Sequence, residues 1–266
     1  MKIRNYLKKS YYFNLLRNSL VNFPSSYLSP KVKKTSISDF FFYNTSQKFD
    51  SKISLFNLSS HVLPEIEQKE VVWFFIFDKN GKQIRNYKFD LEYQETKEIF
   101  ISNIVKDGYG SFFAFHIFEN FGDLLENNSY ITERGYVAYK LKNSIWNYMH
   151  GNHNAAYLDN KFEIHSVIGS SINANNPYSP QVSFLDQDEF EIIINNPSHN
   201  NNLVKIKLKD NENKIIKNET LELNPFGTRI FKCKKKIDIV ELNSKNILNR
   251  PIIIKYYKNN FDIFHG

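Results

Sequence analysis

The sequence predicts an all-β protein: two antiparallel β-sandwich units in tandem, immunoglobulin-like or jelly-roll-like, preceded by a short N-terminal helix. Three observations predict it. Aromatic residues make up 16% of the chain, with 24 Phe and 16 Tyr against 9 Gly and 8 Pro, and aromatic side chains favour the pleated, half-buried surface of a strand. Short alternating runs are separated by turn signals such as Asp78-Lys-Asn-Gly81 and Lys106-Asp-Gly108, the pattern of a sandwich or barrel. A strand–turn–strand pattern also recurs in the second half in one register.

In chain order, Lys2 to Phe23 place Ile3, Tyr6, Leu7, Phe13, Leu16 and Leu20 near helical spacing, with Lys8, Lys9 and Arg17 opposite. That is a basic amphipathic helix ended by Pro24. Helix and connector occupy 1–35, the first unit 36–151, a bridging segment 152–181 and the second unit 182–266.

The first unit's strands are expected at Ile53–Asn57, Val71–Phe77, Tyr87–Leu91, Glu98–Ile101, Phe112–Phe118, Tyr136–Leu141 and Ile145–Met149. Val71-Val-Trp-Phe-Phe-Ile-Phe77 is apolar at every position, so it reads as a central strand covered on both faces. Lys205, Lys207 and Lys209 alternate with apolar residues and read as the solvated face of a strand.

The repeat is visible residue by residue. Asp78 and Asp210 open similar turns at an offset of 132, which also pairs Phe89-Asp-Leu91 with Leu221-Glu-Leu223 and Thr96-Lys97 with Thr228-Arg229. The closing hairpins both end in His-Gly, at His150 and His265, an offset of 115. The first unit therefore carries 17 more residues, 132 minus 115, expected between Phe100 and Tyr136 and centred on Glu119–Asn128. In the bridge, Phe162–Ile168 reads as a strand and Asn173–Pro180 as a loop.

The totals exclude several classes. Thirty-five Lys and Arg against 28 Asp and Glu give +7, yet these charges form no concentrated stripe or recognition motif, so nucleic acid is not an expected partner. Cys233, the single cysteine, permits neither an intramolecular disulfide nor a cysteine-ligated metal cluster. Charges interrupt each apolar run near the N-terminus, and no stretch reaches the ~18 to 20 apolar residues of a membrane span. A cytoplasmic protein is the expectation.

Candidate chemistry concentrates after the first closing hairpin. Trp146, Tyr148, His150, Asn152, His153, Asn154, Tyr157 and Asp159 place aromatics and polar groups near a strand end expected to lead into a loop, and Arg134 adds a group suited to carboxylate or phosphate. Aromatic rings that stack on sugars and amides that bond their hydroxyls make a small polar ligand such as a saccharide the expected partner. The expected role is a non-enzymatic binding or assembly module. One alternative is an enzyme dependent on a divalent metal, zinc or non-haem iron, held by His150, His153, Glu163 and His165, with Asp159 or Glu163 as base. A self-associating structural protein, a homo-oligomer, is the other. His150 and His265 occupy equivalent ends, which favours a structural role for both. His116 on its aromatic strand reads as a core histidine.

Overall fold

The computed structural model describes residues 36–46, 48–118, 131–133, 135–142, 144–159, 161–167, 176–244, 250–258 and 260–266, together with Phe13 and Leu16, both helical. The rest of the expected N-terminal helix lies outside the described residues. No helix among them is long and apolar enough to cross a membrane. The protein is all-β and divides into two compact units, one of Pro30–Ser166 and one that includes Val167–Gly266.

The first unit holds β1 (Ser36–Asn44), β2 (Phe49–Phe56), β3 (Glu70–Asp78), β4 (Gln83–Leu91), β5 (Thr96–Phe100), β6 (Tyr109–Phe118), β7 (Ile131–Glu133), β8 (Tyr136–Leu141), β9 (Asn147–His150), β10 (Asn152–Leu158) and β11 (Ile164–Ser166). They form a large sheet ordered β11-β10-β1-β6-β3-β4, with β7 beside β1, and a smaller sheet ordered β5-β2-β8-β9. All pairs are antiparallel except β1 with β7. The two sheets meet where the Tyr139 hydroxyl donates to the Phe42 carbonyl at 2.8 Å, burying both rings.

The second unit holds β12 (Asn176–Tyr178), β13 (Glu189–Asn195), β14 (Asn202–Lys209), β15 (Ile215–Leu223), β16 (Thr228–Cys233), β17 (Ile239–Ser244), β18 (Ile252–Tyr257) and β19 (Asn260–His265). Its sheets run β12-β17-β14-β15 and β16-β13-β18-β19. Phe190, Ile192 and Ile194 of one sheet and Val204, Ile206 and Leu208 of the other join a single apolar cluster.

Both units therefore share a wiring diagram, β1-β6-β3-β4 matching β12-β17-β14-β15 and β5-β2-β8-β9 matching β16-β13-β18-β19. The register agrees at an offset of 132: Trp73 lies opposite Lys88, and Lys205 opposite Thr220. Even the bulge recurs, between Ile76 and Phe77 and between Leu208 and Lys209. Each turn is built around its aspartate. Asp78 Oδ1 accepts the N–H of Asn80 and Lys82, and Asp210 Oδ1 that of Glu212 and Lys214. The position with positive φ is Gly81 (81°) in one and Asn213 (65°) in the other, residue types that tolerate the left-handed region.

A second shared device sits at the end of β2 and of β13. Asn57 Nδ2 donates to the carbonyls of Gln68, Leu91 and Glu92, while Asn196 Nδ2 donates to those of Asn200, Leu223 and Asn224. Ser59 and Ser198 each donate a hydroxyl to that asparagine's Oδ1. A buried amide serving three carbonyls ties three chain segments at one point, where unpaired backbone groups would be costly.

The expected 17-residue excess is not one insertion. Equivalent pairs run at offsets of 132 on β5 (Ile99, Phe231), 128 on β6 (Phe115, Asn243), 116 on β8 (Val137, Ile253) and 115 on β9 (Met149, Phe264). Four of the extra residues thus precede β6, in the segment holding the Ile101–Asn103 turn of 3-10 helix, twelve lie between β6 and β8, and one lies in the closing hairpin. Upstream, Ile53 and Ile192 are 139 apart. Seven further residues between β2 and β3 hold a short helix, Leu58–Val62, in the first unit only.

The expected bridge is divided between the units. Asn152–Leu158, expected as a loop, forms β10 against β1, and β11 pairs with β10. Asn176–Tyr178, expected in a loop, forms β12 against β17. Gly151 marks the switch from the smaller sheet to the larger. A Cβ there would lie 2.5 Å from the Phe41 ring and 2.6 Å from Asp39 Cβ, so only glycine lets the chain pass.

The shared backbone carries opposite outer surfaces. On β3 and β6 the face away from the core presents Phe75, Phe77, Phe113 and Phe115, all buried, and Trp73. The equivalent positions of β14 and β17 are Lys207, Lys209, Glu241, Asn243 and Lys205, with both Lys207 and Lys209 paired to Glu241. The apolar run at Val71–Phe77 is thus a strand covered on both faces, and the alternating lysines form a solvated one.

Candidate functional site

The outer face of the β5-β2-β8-β9 sheet carries Trp146 and Tyr148, two of the three aromatic residues expected at the site. Strand pairing sets Phe100, Lys52, Ala138 and Tyr148 in one row and Glu98, Ser54, Tyr136 and His150 in the next. Alternation sends Ile53, Ile99, Val137 and Met149 inward, so both rows face away from the core. Tyr136 is 57% exposed, Tyr148 50% and Ile145 70%, which leaves this aromatic surface open to solvent.

Lys52 is the centre of the arrangement, a side chain only 8% exposed. Its ammonium donates to Glu98 Oε1 at 2.6 Å and lies 4.9 Å from the Trp146 ring, 5.6 Å from Tyr148 and 5.7 Å from Phe100. Trp146 meets Phe100 edge-on with centroids 6.0 Å apart, and Lys140 approaches its ring at 5.8 Å. Burial works against the Lys52 charge, but hydrogen bonds to Glu98 and to the Tyr148 hydroxyl outweigh it and hold the ammonium above the ordinary lysine value. Cation–π attraction to three rings adds to that. The face therefore offers flat apolar rings beside a fixed cation and a half-exposed carboxylate.

Among the described residues the second unit has no such face. Glu191 stands at the position of Lys52 and Lys232 at that of Phe100, paired at 2.5 Å, with Ile254 and Ile263 in place of Ala138 and Tyr148.

Of the other expected site residues, His150 shares this face and the rest disperse. His150 belongs to β9 of the smaller sheet, with Nδ1 2.7 Å from the Gly151 carbonyl oxygen. His153 and Asn154 belong to β10 of the larger sheet, and their side chains lie outside the described residues, as does Arg134. Asn152 is buried and Tyr157 fully so, its ring stacked on His165 at 5.0 Å. A ring with no exposed surface offers a ligand nothing, so Tyr157 serves the core.

Asp159, Glu163 and His165 do come together, with one ligand atom of each within 4.8 Å of the others. Their hydrogen bonds account for much of this. Asp159 Oδ1 accepts the N–H of Lys161 and Glu163, the same turn as at Asp78 and Asp210, and Oδ2 lies 2.9 Å from His165 Nε2. Burial would raise the Asp159 pKa, but the Glu163 N–H, His165 and the Lys161 N–H together hold it below the ordinary aspartate value. The donor set suits a divalent cation by type. His150 is not among the three.

Sequence reasoning missed Lys52, Glu98, Phe100 and Tyr136 in the aromatic face, because cross-strand neighbours come from distant stretches of chain. It also missed that Phe162, at a φ of 60°, packs on Trp73 with centroids 5.2 Å apart. An exposed phenylalanine in the left-handed region is uncommon.

No protein-family model and no curated protein matches the chain. Among solved structures it is similar to a glycosyl hydrolase family 2 member from Bacteroides cellulosilyticus, at 10% identity and a TM-score of 0.18, over 86% of this chain and 26% of that one. A beta-glucuronidase from glycoside hydrolase family 2 is similar at 11% identity and a TM-score of 0.19, over 92% of this chain and 28% of that one. The chain spans little more than a quarter of the length of either.

Proposed function

We propose that the protein is a non-enzymatic module of two tandem β-sandwich units, copies of one ancestral unit, that binds a saccharide on the outer face of the β5-β2-β8-β9 sheet. The supporting observation is the half-exposed aromatic surface of Trp146, Tyr148 and Tyr136 arranged about the buried Lys52 and its half-exposed partner Glu98. Sugar rings present apolar C–H faces that stack on aromatics and hydroxyls that bond to charged groups. Lys52 and Glu98 supply one donor and one acceptor in fixed positions.

Affinity electrophoresis of the full chain through gels containing a panel of polysaccharides tests this. At least one glycan should retard the wild type, and Tyr148→Ala and Trp146→Ala should each reduce the retardation about tenfold or more, on the scale of 1.4 kcal/mol per decade. Tyr148 is half exposed, so its variant should still melt in a single cooperative transition. Unretarded migration through the whole panel, or equal binding by both variants, refutes the reading.

A second reading rests on Asp159, Glu163 and His165 as ligands of a divalent cation. Elemental analysis should then find near-stoichiometric metal in the purified protein, lost in His165→Ala. Metal-free wild-type protein that takes up neither zinc nor iron refutes it.

A further inference from the structure

We infer that the free edge of β15 is an interface between two copies of this chain, joined antiparallel about a two-fold axis at Asn218. This does not rest on the saccharide reading, since β15 belongs to a different sheet and a different unit. β15 ends the order β12-β17-β14-β15 and, among the described residues, pairs only with β14. Its nine residues span roughly 30 Å at ~3.3 Å each. Ile215 and Ile216, 50% and 46% exposed, stand on that edge with Lys217, Asn218, Thr220 and Glu222 also exposed. Such a row of unpaired N–H and C=O groups is a template for another strand unless its side chains prevent pairing.

Here the side chains favour it in one register. With Asn218 opposite itself, Lys217 faces Glu219 of the second copy and Lys214 faces Glu222, each contact occurring twice. Ile216 then faces Thr220, and Ile215 faces Leu221. Directly opposed unlike charges and β-branched pairs stabilise antiparallel strands, and like charges destabilise them. Lys217 and Glu219 already form a 2.7 Å ion pair within one strand, so the axis would close a ring of four alternating charges. The adjacent symmetric registers, centred on Lys217 or Glu219, set that residue against itself. The hydrogen-bonding side of a strand alternates with period two, so self-pairing registers lying between these are excluded.

The equivalent edge of the first unit provides a contrast. β4 has Arg85 and Tyr87 where β15 has Lys217 and Glu219, so centring it on Asn86 matches no inner charges. At β4 only the outer pair, Lys82 with Asp90, sets unlike charges opposite each other; opposed unlike charges at the inner pair belong to β15 alone.

Sedimentation equilibrium of the full chain at low salt should show a dimer at micromolar concentration. Glu222→Lys, which opposes each copy's Lys214 with another lysine, should raise the dissociation constant at least tenfold, and the exchanged variant Lys214→Glu/Glu222→Lys should restore it. Asn218→Cys should form a disulfide-linked dimer under mild oxidation, whereas Asn86→Cys at the sibling position should not. Two cysteines opposed at an axis have their Cα atoms within the range a disulfide bridges. A monomer at 100 μM, a dimer indifferent to Glu222→Lys, or failure of the exchanged variant to restore it overturns the inference. Each result leaves the polysaccharide assay unaffected.

Discussion

Replacing the buried Glu70–His116 pair by the residues its sibling uses should cost less than breaking it. Both side chains are fully buried, His116 Nδ1 meets Glu70 Oε1, and Glu70 Oε2 accepts the Ser59 N–H at 2.9 Å. The equivalent positions hold Asn202 and Ser244, whose hydroxyl donates to Asn202 Oδ1 at 2.7 Å. One backbone site thus accepts an acid–imidazole pair or a neutral hydrogen bond. His116→Ser alone leaves a carboxylate in the core without its partner, which costs about 3–5 kcal/mol. Glu70→Asn alone leaves the imidazole without its acceptor, at a cost of similar order.

The double variant removes both charge-bearing groups together. What remains is a void on the order of 60 Å³, about 1.5 kcal/mol, and the lost acceptor for Ser59 N–H, about 1 kcal/mol. The double should therefore be destabilised by roughly 2–3 kcal/mol, less than either single, with a coupling energy of at least about 3 kcal/mol. The chain's two tryptophans, Trp73 and Trp146, both lie in the first unit. Urea unfolding followed by tryptophan fluorescence therefore reports on that unit alone. Additive single effects, within about 0.5 kcal/mol, would refute the argument that the two groups act as a pair.

Two further outcomes follow from the shared framework. Asn57→Ala and Asn196→Ala should each destabilise their own unit by about 3 kcal/mol or more, since each strands three carbonyls at one point; calorimetry showing a loss below 1 kcal/mol in either unit would contradict the assignment. Glu241, beside Lys209 and Lys207, is held below the ordinary glutamate value of 4.5, by the Lys209 contact first and Lys207 next. A depressed carboxyl contributes stability that is complete above its unfolded pKa and lost as acid titrates the folded form. The stability gap between wild type and Glu241→Gln should thus be full at neutral pH and close on acidification below 4.5; a gap that widens there would reverse the sign.

Much of the fold could be read from the chain. The apolar run at Val71–Phe77 and the lysines at 205, 207 and 209 announced their burial by period alone, and the Asp78 and Asp210 turns gave the register, whereas the shared bulge is one that no pattern rule would place. Asn152–Leu158 was not legible as a strand, because polar and small residues carry weak β-propensity and β1 imposes the ladder from outside. The keystone asparagines were legible in principle, as Asn57-Leu-Ser59 and Asn196-Pro-Ser198 recur at 139. Seven residues inserted between β2 and β3 shift the offset from 139 to 132 and hide the match upstream of Asp78. The aromatic face was half visible: Trp146 and Tyr148 lie close in sequence, but Lys52, Phe100 and Tyr136 join them only through strand pairing.

What the two units share and what they do not share separate along physical lines. The shared parts are backbone devices: the Asp-capped turn, the bulge, the triple-carbonyl asparagine and the glycine after each closing strand. The asparagines satisfy buried carbonyls, the aspartates cap exposed turn N–H groups and the glycines let the chain pass closely, and together these fix strand order and register. The outer faces carry no such obligation. At equivalent positions Lys52 and Phe100 become Glu191 and Lys232, and Phe75, Phe77 and Phe113 become Lys207, Lys209 and Glu241. A surface free to change sign and polarity while the frame stays fixed is where two copies can take different partners. The saccharide face proposed on the first unit and the edge interface proposed on the second belong to different units, so Tyr148→Ala should leave the proposed dimer intact and Glu222→Lys should leave polysaccharide retardation unchanged.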